Sequence, residues 1–194
     1  SDLSKEPDYK AQTAFASISQ DMFSDLTTVT FGYTRGWDKV GERGTTRNDP
    51  VDHHGWNVGV TQVLTRNLLL NVTYEATESQ GYLNSPYRQA RYLDATEPLG
   101  YAYQKQVYPQ SRSGNAGAAV LKYFLPWRAA VTGNFRYYSD NWGIHAQSGE
   151  LGYVQPVKRA WTLDAHLRYY HQNNADFYSD LYPYANAQNY LGRD

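Results

Sequence analysis

Trp161-Thr162-Leu163-Asp164-Ala165-His166-Leu167-Arg168-Tyr169-Tyr170 is the stretch that decides the fold. Trp161, Leu163, Ala165, Leu167 and Tyr169 take every second place, and Thr162, Asp164, His166, Arg168 and Tyr170 fill the places between. A helix would scatter the polar groups around its circumference, whereas a strand sets them all on one face. The same period of two runs through Ala129, Val131, Gly133, Phe135 and Tyr137, which alternate with Thr132, Asn134, Arg136 and Tyr138. Leu151 and Tyr153 flank Gly152, with Glu150 on the polar side. Earlier in the chain, Leu68, Leu70, Val72, Tyr74 and Ala76 oppose Asn71, Thr73, Glu75 and Thr77. Trp56, Val58 and Val60 oppose Asn57, Gly59 and Thr61, and Val29, Phe31 and Tyr33 oppose Thr28, Thr30, Gly32 and Thr34. Gln12–Gln20 and Ala116–Leu125 repeat the pattern less clearly. About eight strands result, each close to the ~9–11 residues that a tilted membrane strand needs.

Composition narrows the class. Only 41% of the 194 residues are hydrophobic and mean hydropathy is −0.72, so no segment approaches the apolar length of a membrane helix. A transmembrane β-barrel tolerates such a composition, because half of each strand faces the lumen. Tyr occurs 19 times and Trp 5 times against 6 Phe; rings with a polar tip suit a membrane–water interface. A tyrosine-rich soluble sandwich fits composition alone equally well. A net charge of −1 carries none of the basic excess of a nucleic-acid binder. The absence of cysteine excludes disulfides, thiolate catalysis and covalent haem attachment through thioethers. No cofactor is implied. The start, Ser1-Asp2-Leu3-Ser4-Lys5, lacks the apolar core of a signal peptide.

The connections favour the barrel. Tight turns are expected at Asp21–Asp25, Thr65–Asn67, Pro126–Arg128 and Pro156–Arg159, and long polar loops at 38–55, 79–115 and 173–194. Short turns at one end and long loops at the other are the habit of outer-membrane barrels; Asn141-Trp142-Gly143 is the one short connection on the long-loop side. On this reading the whole chain, 1–194, is one antiparallel transmembrane domain with both ends on the outer side. It is expected to be part of a larger barrel, since its end, Leu191-Gly192-Arg193-Asp194, lacks a terminal aromatic residue.

Glu75, Lys122, Arg136, Glu150, Asp164, His166 and Arg168 all fall on polar faces and are expected to line a lumen. On the lipid face each would cost roughly 2–4 kcal/mol near the midplane. Arg136, Glu150, Asp164 and Arg168 alternate in sign over three successive strands, which predicts cross-strand ion pairs. Asp164 and His166 could serve a hydrolase, but no spacing matches a nucleophile elbow or a metalloprotease helix, so no catalytic residue is assigned. His53 and His54, near Asp49 and Asp52, are read as a solvated loop with no metal. The loop 79–115 exceeds a connector; its Tyr82, Tyr87, Arg88, Arg91 and Tyr92 are residue types favoured at recognition surfaces.

Gly81-Tyr82-Leu83-Asn84-Ser85-Pro86-Tyr87-Arg88, Arg91-Tyr92-Leu93-Asp94, Tyr123-Phe124-Leu125-Pro126-Trp127-Arg128-Ala129-Ala130, Asp140-Asn141-Trp142-Gly143-Ile144 and Ala175-Asp176-Phe177-Tyr178-Ser179-Asp180-Leu181 resemble DUF3570, a family of predicted bacterial outer-membrane proteins. The resemblance implies an exported barrel longer than this chain, placed in the outer membrane beside a small lipoprotein or another envelope protein. It implies no catalytic residues. The expected function is a pore, or a scaffold around a partner, in contact with membrane lipid and not with nucleic acid. A plugged barrel that conducts nothing is the alternative, and an outer-membrane hydrolase a third.

Overall fold

The computed structural model describes residues 2–6, 8–158 and 160–193, with backbone alone for 2–5. Both chain ends and Arg159, the last residue of the expected turn at 156–159, lie outside the described residues. The chain is all-β: β1 (Asp2–Lys5), β2 (Tyr9–Met22), β3 (Thr27–Gly41), β4 (Asn48–Thr65), β5 (Leu68–Gly81), β6 (Gln89–Leu93), β7 (Tyr101–Lys105), β8 (Ser111–Phe124), β9 (Ala130–Asp140), β10 (His145–Val157) and β11 (Trp161–Gln172). Eight long strands and the short β1 form one antiparallel sheet in the order β1-β2-β3-β4-β5-β8-β9-β10-β11, and β6 and β7 form a separate hairpin. Among the described residues β11 pairs only with β10, so the sheet is open.

Away from one bulge, at Val63–Thr65 beside the turn into β5, the register carries the alternation across the sheet without a slip of face. One row runs Val29, Val60, Val72, Ala119, Phe135, Gly149, Tyr169. The neighbouring row, on the other face, runs Thr30, Gly59, Thr73, Ala118, Arg136, Ser148, Tyr170. A shift of one residue at any ladder would have mixed the two sets. The pattern has exceptions: Phe15, Leu69 and Val120 stand on the polar face.

The apolar face is bare. Ile18 is 70% exposed, Leu151 61% and Leu167 72%, and Phe31, Val72, Leu121 and Phe135 are exposed beside them. A soluble monomer rarely leaves an apolar surface of this extent uncovered. The buried apolar cluster lies elsewhere, in the loops, where Ala90, Tyr182 and Leu191 pack with Tyr92 and Ala187.

At one end the strands join through short turns at 23–26, 66–67, 125–129 and 158–160. Phe23, Ser24 and Asp25 take φ of 54°, 56° and 64°, Arg128 67° and Lys158 58°, so left-handed residues reverse the chain there. At the other end the expected loops are shorter than the sequence implies. The loop 38–55 contracts to 42–47, because β3 and β4 stay paired from Trp37–Asp52 out to Gly41–Asn48. The ladder's hydrogen bonds need no apolar side chain, so pairing outlasts the alternation that advertised it. The loop 79–115 contracts to 82–110 and contains the β6–β7 hairpin. Residues 173–193 hold no long strand and are tied back by bridges of Tyr92 to Tyr182, Val107 to Leu191 and Tyr178 to Gly192. These two segments form a cap over the long-loop end.

Candidate functional site

All seven charged positions read as lumen-facing share the polar face of the sheet. Their pairing differs from the expected sequence of cross-strand partners. Arg136 donates to Glu75 at 2.6 Å, reaching over β8 instead of to Glu150. The residues of β8 beneath that span are Ala116 and Ala118, opposite Glu75 and Arg136 respectively, and their methyl groups leave the path open. His166 lies between two carboxylates, with Nε2 2.8 Å from Asp164 and Nδ1 3.1 Å from Glu150. Both ring nitrogens are therefore taken by acids and neither meets a hydroxyl. Arg168 stands opposite Glu150 in register but pairs with no carboxylate, and Lys122 likewise carries no ion pair among the described residues. Two free cations and one acid-flanked imidazole give this face a mixed field. Exposed pairs of this kind contribute little to stability.

A second cluster occupies the polar face where β2, β3, β4 and β5 approach the cap. His53, expected in a solvated loop, is a half-buried residue of β4, and His54 points to the opposite face, where its ring stacks on Trp56. His53 Nε2 lies 3.1 Å from the Asp38 carboxylate, whose side chain is 8% exposed, and Tyr9 donates its hydroxyl to the same carboxylate. His53 Nδ1 lies 2.8 Å from Ser79 Oγ. A carboxylate only accepts, so the imidazole proton sits on Nε2 and Nδ1 is left to accept from the Ser79 hydroxyl. Gly36 lies directly opposite His53, and a Cβ there would come within 3.2 Å of the His53 Cβ, so the bare backbone leaves the ring its place. Ser79 in turn stands opposite Arg112. Arg112 donates to the fully buried carboxylate of Asp140 at 2.6 and 2.9 Å and lies 4.7 Å from the centre of the Trp142 ring. Asp140 also accepts from Tyr138 Oη and from the backbone N–H of Trp142 and Ile144, which pins the 141–144 turn.

The recognition residues divide. Tyr82 and Tyr87 line a cavity of about 440 Å³ together with Tyr9, Val51, His53 and Leu83. The Arg47 guanidinium covers the Tyr82 ring at 4.1 Å. Tyr87 donates to Asp8 and accepts from the Arg43 N–H, and the Asp8 bond holds its phenol above the usual range. Arg88 lines a smaller hollow beside Tyr108 and Trp142. Arg91 and Tyr92 serve the cap itself: Arg91 lies over the Tyr101 ring at 5.3 Å, and Tyr92 packs on the buried cluster. At its centre the Tyr182 hydroxyl donates its one proton to the Phe177 carbonyl at 2.6 Å, with the Gly192 carbonyl at 2.9 Å sharing it, and accepts the Gly192 N–H, and burial pushes its pKa up. Among the described residues no group of three or more His, Asp or Glu could hold a metal ion.

The model of the family described as "Protein of unknown function (DUF3570)" matches residues 37–191, and the chain belongs to that family. No curated protein and no solved structure matches it.

Proposed function

We propose that this DUF3570 chain forms part of the wall of an outer-membrane β-barrel, and that the barrel is a charge-lined pore or a scaffold around an envelope partner. The observation that carries the reading is the division of the faces. From Ala14 to Met22, Thr27 to Tyr33, Trp56 to Gln62 and Leu68 to Ala76, and along all of β8 to β11, the apolar face bears no Asp, Glu, Lys or Arg. Charge returns to that face only near the cap, at Lys10, Arg35, Lys39, Asp52 and Glu78, where the longer strands β2 to β5 leave the proposed lipid band. Rings mark both edges of the band: Trp161 and Tyr153 near the short turns, Tyr33, Trp56, Tyr137 and Tyr169 towards the cap. Trp161 to Tyr169 spans ~27 Å along the strand, or roughly 20 Å along the membrane normal at the usual tilt. An open edge in hydrocarbon leaves backbone groups unsatisfied at several kcal/mol each, so the proposal includes closure of β11 against a further strand.

A plugged barrel is the second reading, favoured by the cap. Tyr108 and Phe177 of the cap each pack on the Trp142 ring at 5.3 Å, and Arg112 of the polar face lies 4.7 Å from the same ring, so cap and polar face meet at the mouth. Single-channel conductance of the full-length protein in a planar bilayer tests the proposal, with the double variant Arg136→Ala, Arg168→Ala. Steady conductance that becomes more cation-selective in the variant is the expected result. A silent bilayer, with insertion confirmed by heat-modifiable gel mobility, assigns the barrel to the plugged class.

A further inference from the structure

We propose that Ser79, His53 and Asp38 form a hydrolytic site on the polar face, with Ser79 as nucleophile for a carboxylic ester. The geometry is that of an acid–base–nucleophile relay. Asp38 holds the imidazole at Nε2 (3.1 Å), and the lone pair of Nδ1 faces Ser79 Oγ at 2.8 Å. The acid is the most buried of the three, the imidazole side chain is 39% exposed, and Tyr9 donates to the same carboxylate oxygen that faces His53. The three residues stand on neighbouring strands, and Gly36 leaves the imidazole room. Arg112 stands opposite Ser79 in the register, with its guanidinium held by Asp140. His53 also borders the cavity of about 440 Å³ that Tyr9, Val51, Tyr82, Leu83 and Tyr87 line together with Glu6 and Asp8, a mixed lining whose aromatic and aliphatic side would take the acyl part of an ester. None of these contacts depends on closure of the barrel, so this site stands or falls apart from the pore.

In the first half-reaction Ser79 Oγ bonds to the ester carbonyl carbon and passes its proton to His53 Nδ1. The carbon–alkoxy bond breaks, and the leaving alcohol takes that proton. Water then adds to the acyl-serine, giving a proton to His53; the acyl–Ser79 bond breaks, the serine recovers the proton, and the carboxylic acid leaves. No oxidant, metal or further reactant is needed.

The test uses a fluorophosphonate probe on the full-length protein folded in detergent micelles, with adducts located by mass spectrometry and turnover followed with p-nitrophenyl butyrate. The expected result is a single adduct on Ser79, absent in Ser79→Ala, with His53→Gln slower by ~100-fold or more. Because the chain has no cysteine, Ser79→Cys adds a readout that needs no turnover: its thiol should alkylate faster with His53 present than with His53→Gln. A folded wild-type protein that takes no adduct, an adduct that persists in Ser79→Ala, or labelling indifferent to His53 overturns the proposal and leaves the cluster a cross-strand hydrogen-bond ladder.

Discussion

At the scale of the residue, the same side-chain types serve different ends according to their neighbours. His166 is clamped by Asp164 and Glu150, whereas His53 has one acid and one hydroxyl. Sequence spacing made Asp164 and His166 visible because they lie two apart on one strand. Asp38, His53 and Ser79 are separated by whole hairpins, and only the ladder register brings them together. A signal was present in Asp38-Lys39 and His53-His54, but both pairs fall where the two strand faces are equally polar, so alternation no longer marks a strand. Tyr182 gives a prediction at this scale. Its folded pKa is raised by burial, so the neutral phenol is the form the cap favours. Its contribution is therefore complete below the unfolded value near ~10 and fades as pH rises above it. Tyr182→Phe should destabilise the cap by ~1–3 kcal/mol, since the buried Gly192 N–H keeps only its longer, 3.3 Å bond to the Phe177 carbonyl. Limited proteolysis of 173–193 against pH should show alkaline loosening in the wild type and less pH dependence in the variant.

Elements carry the facing of the sheet, and here the sequence was most legible. Every position assigned to the apolar side of the strands at 68–76, 131–137 and 161–169 lies on one face in the register, and Ala129 falls just before its strand. The contrast between Leu, Val, Phe and Tyr on one side and Thr, Asn and charge on the other fixes that choice. Strand ends were illegible for the opposite reason: residues 38–41 and 48–55 continue the ladder with polar groups on both sides. The β6–β7 hairpin, five residues in each strand, was too short and too mixed to show a period. Phe135→Arg and Leu163→Arg should each block assembly, at ~2–4 kcal/mol near the midplane, while Thr132→Arg on the other face should be tolerated. Heat-modifiable mobility after folding into lipid vesicles reads this directly, and equal tolerance of all three would refute the facing.

The whole molecule combines a wall with a poorly buried interior and a cap with its own small core. The wall has exposed apolar residues on one face and polar groups on the other, whereas the cap gathers Ala90, Tyr182 and Leu191. The sequence indicated long loops but not this core, because Ala90 and Leu191 meet over a separation no periodicity spans. If the cap closes the mouth, replacing residues 89–105 with a short Gly-Ser linker should raise single-channel conductance while leaving heat-modifiable mobility unchanged. Conductance identical to wild type would place the cap beside the opening instead of across it.

The unequal ends also set a direction of travel. Turns of two to five residues at 23–26, 66–67 and 125–129 carry Asp25, Arg66 and Arg128, whereas the long-loop end carries the larger load, with Arg43, Arg47, Arg88, Arg91 and Lys105 among its hydrated cations. Ferrying those cations through hydrocarbon would cost far more than slipping a hairpin tip across. If the barrel proposed above forms, such a wall would enter a bilayer tip first and could not readily be turned over afterwards, so its orientation would be settled kinetically, at the moment of insertion, by the asymmetry of its two rims.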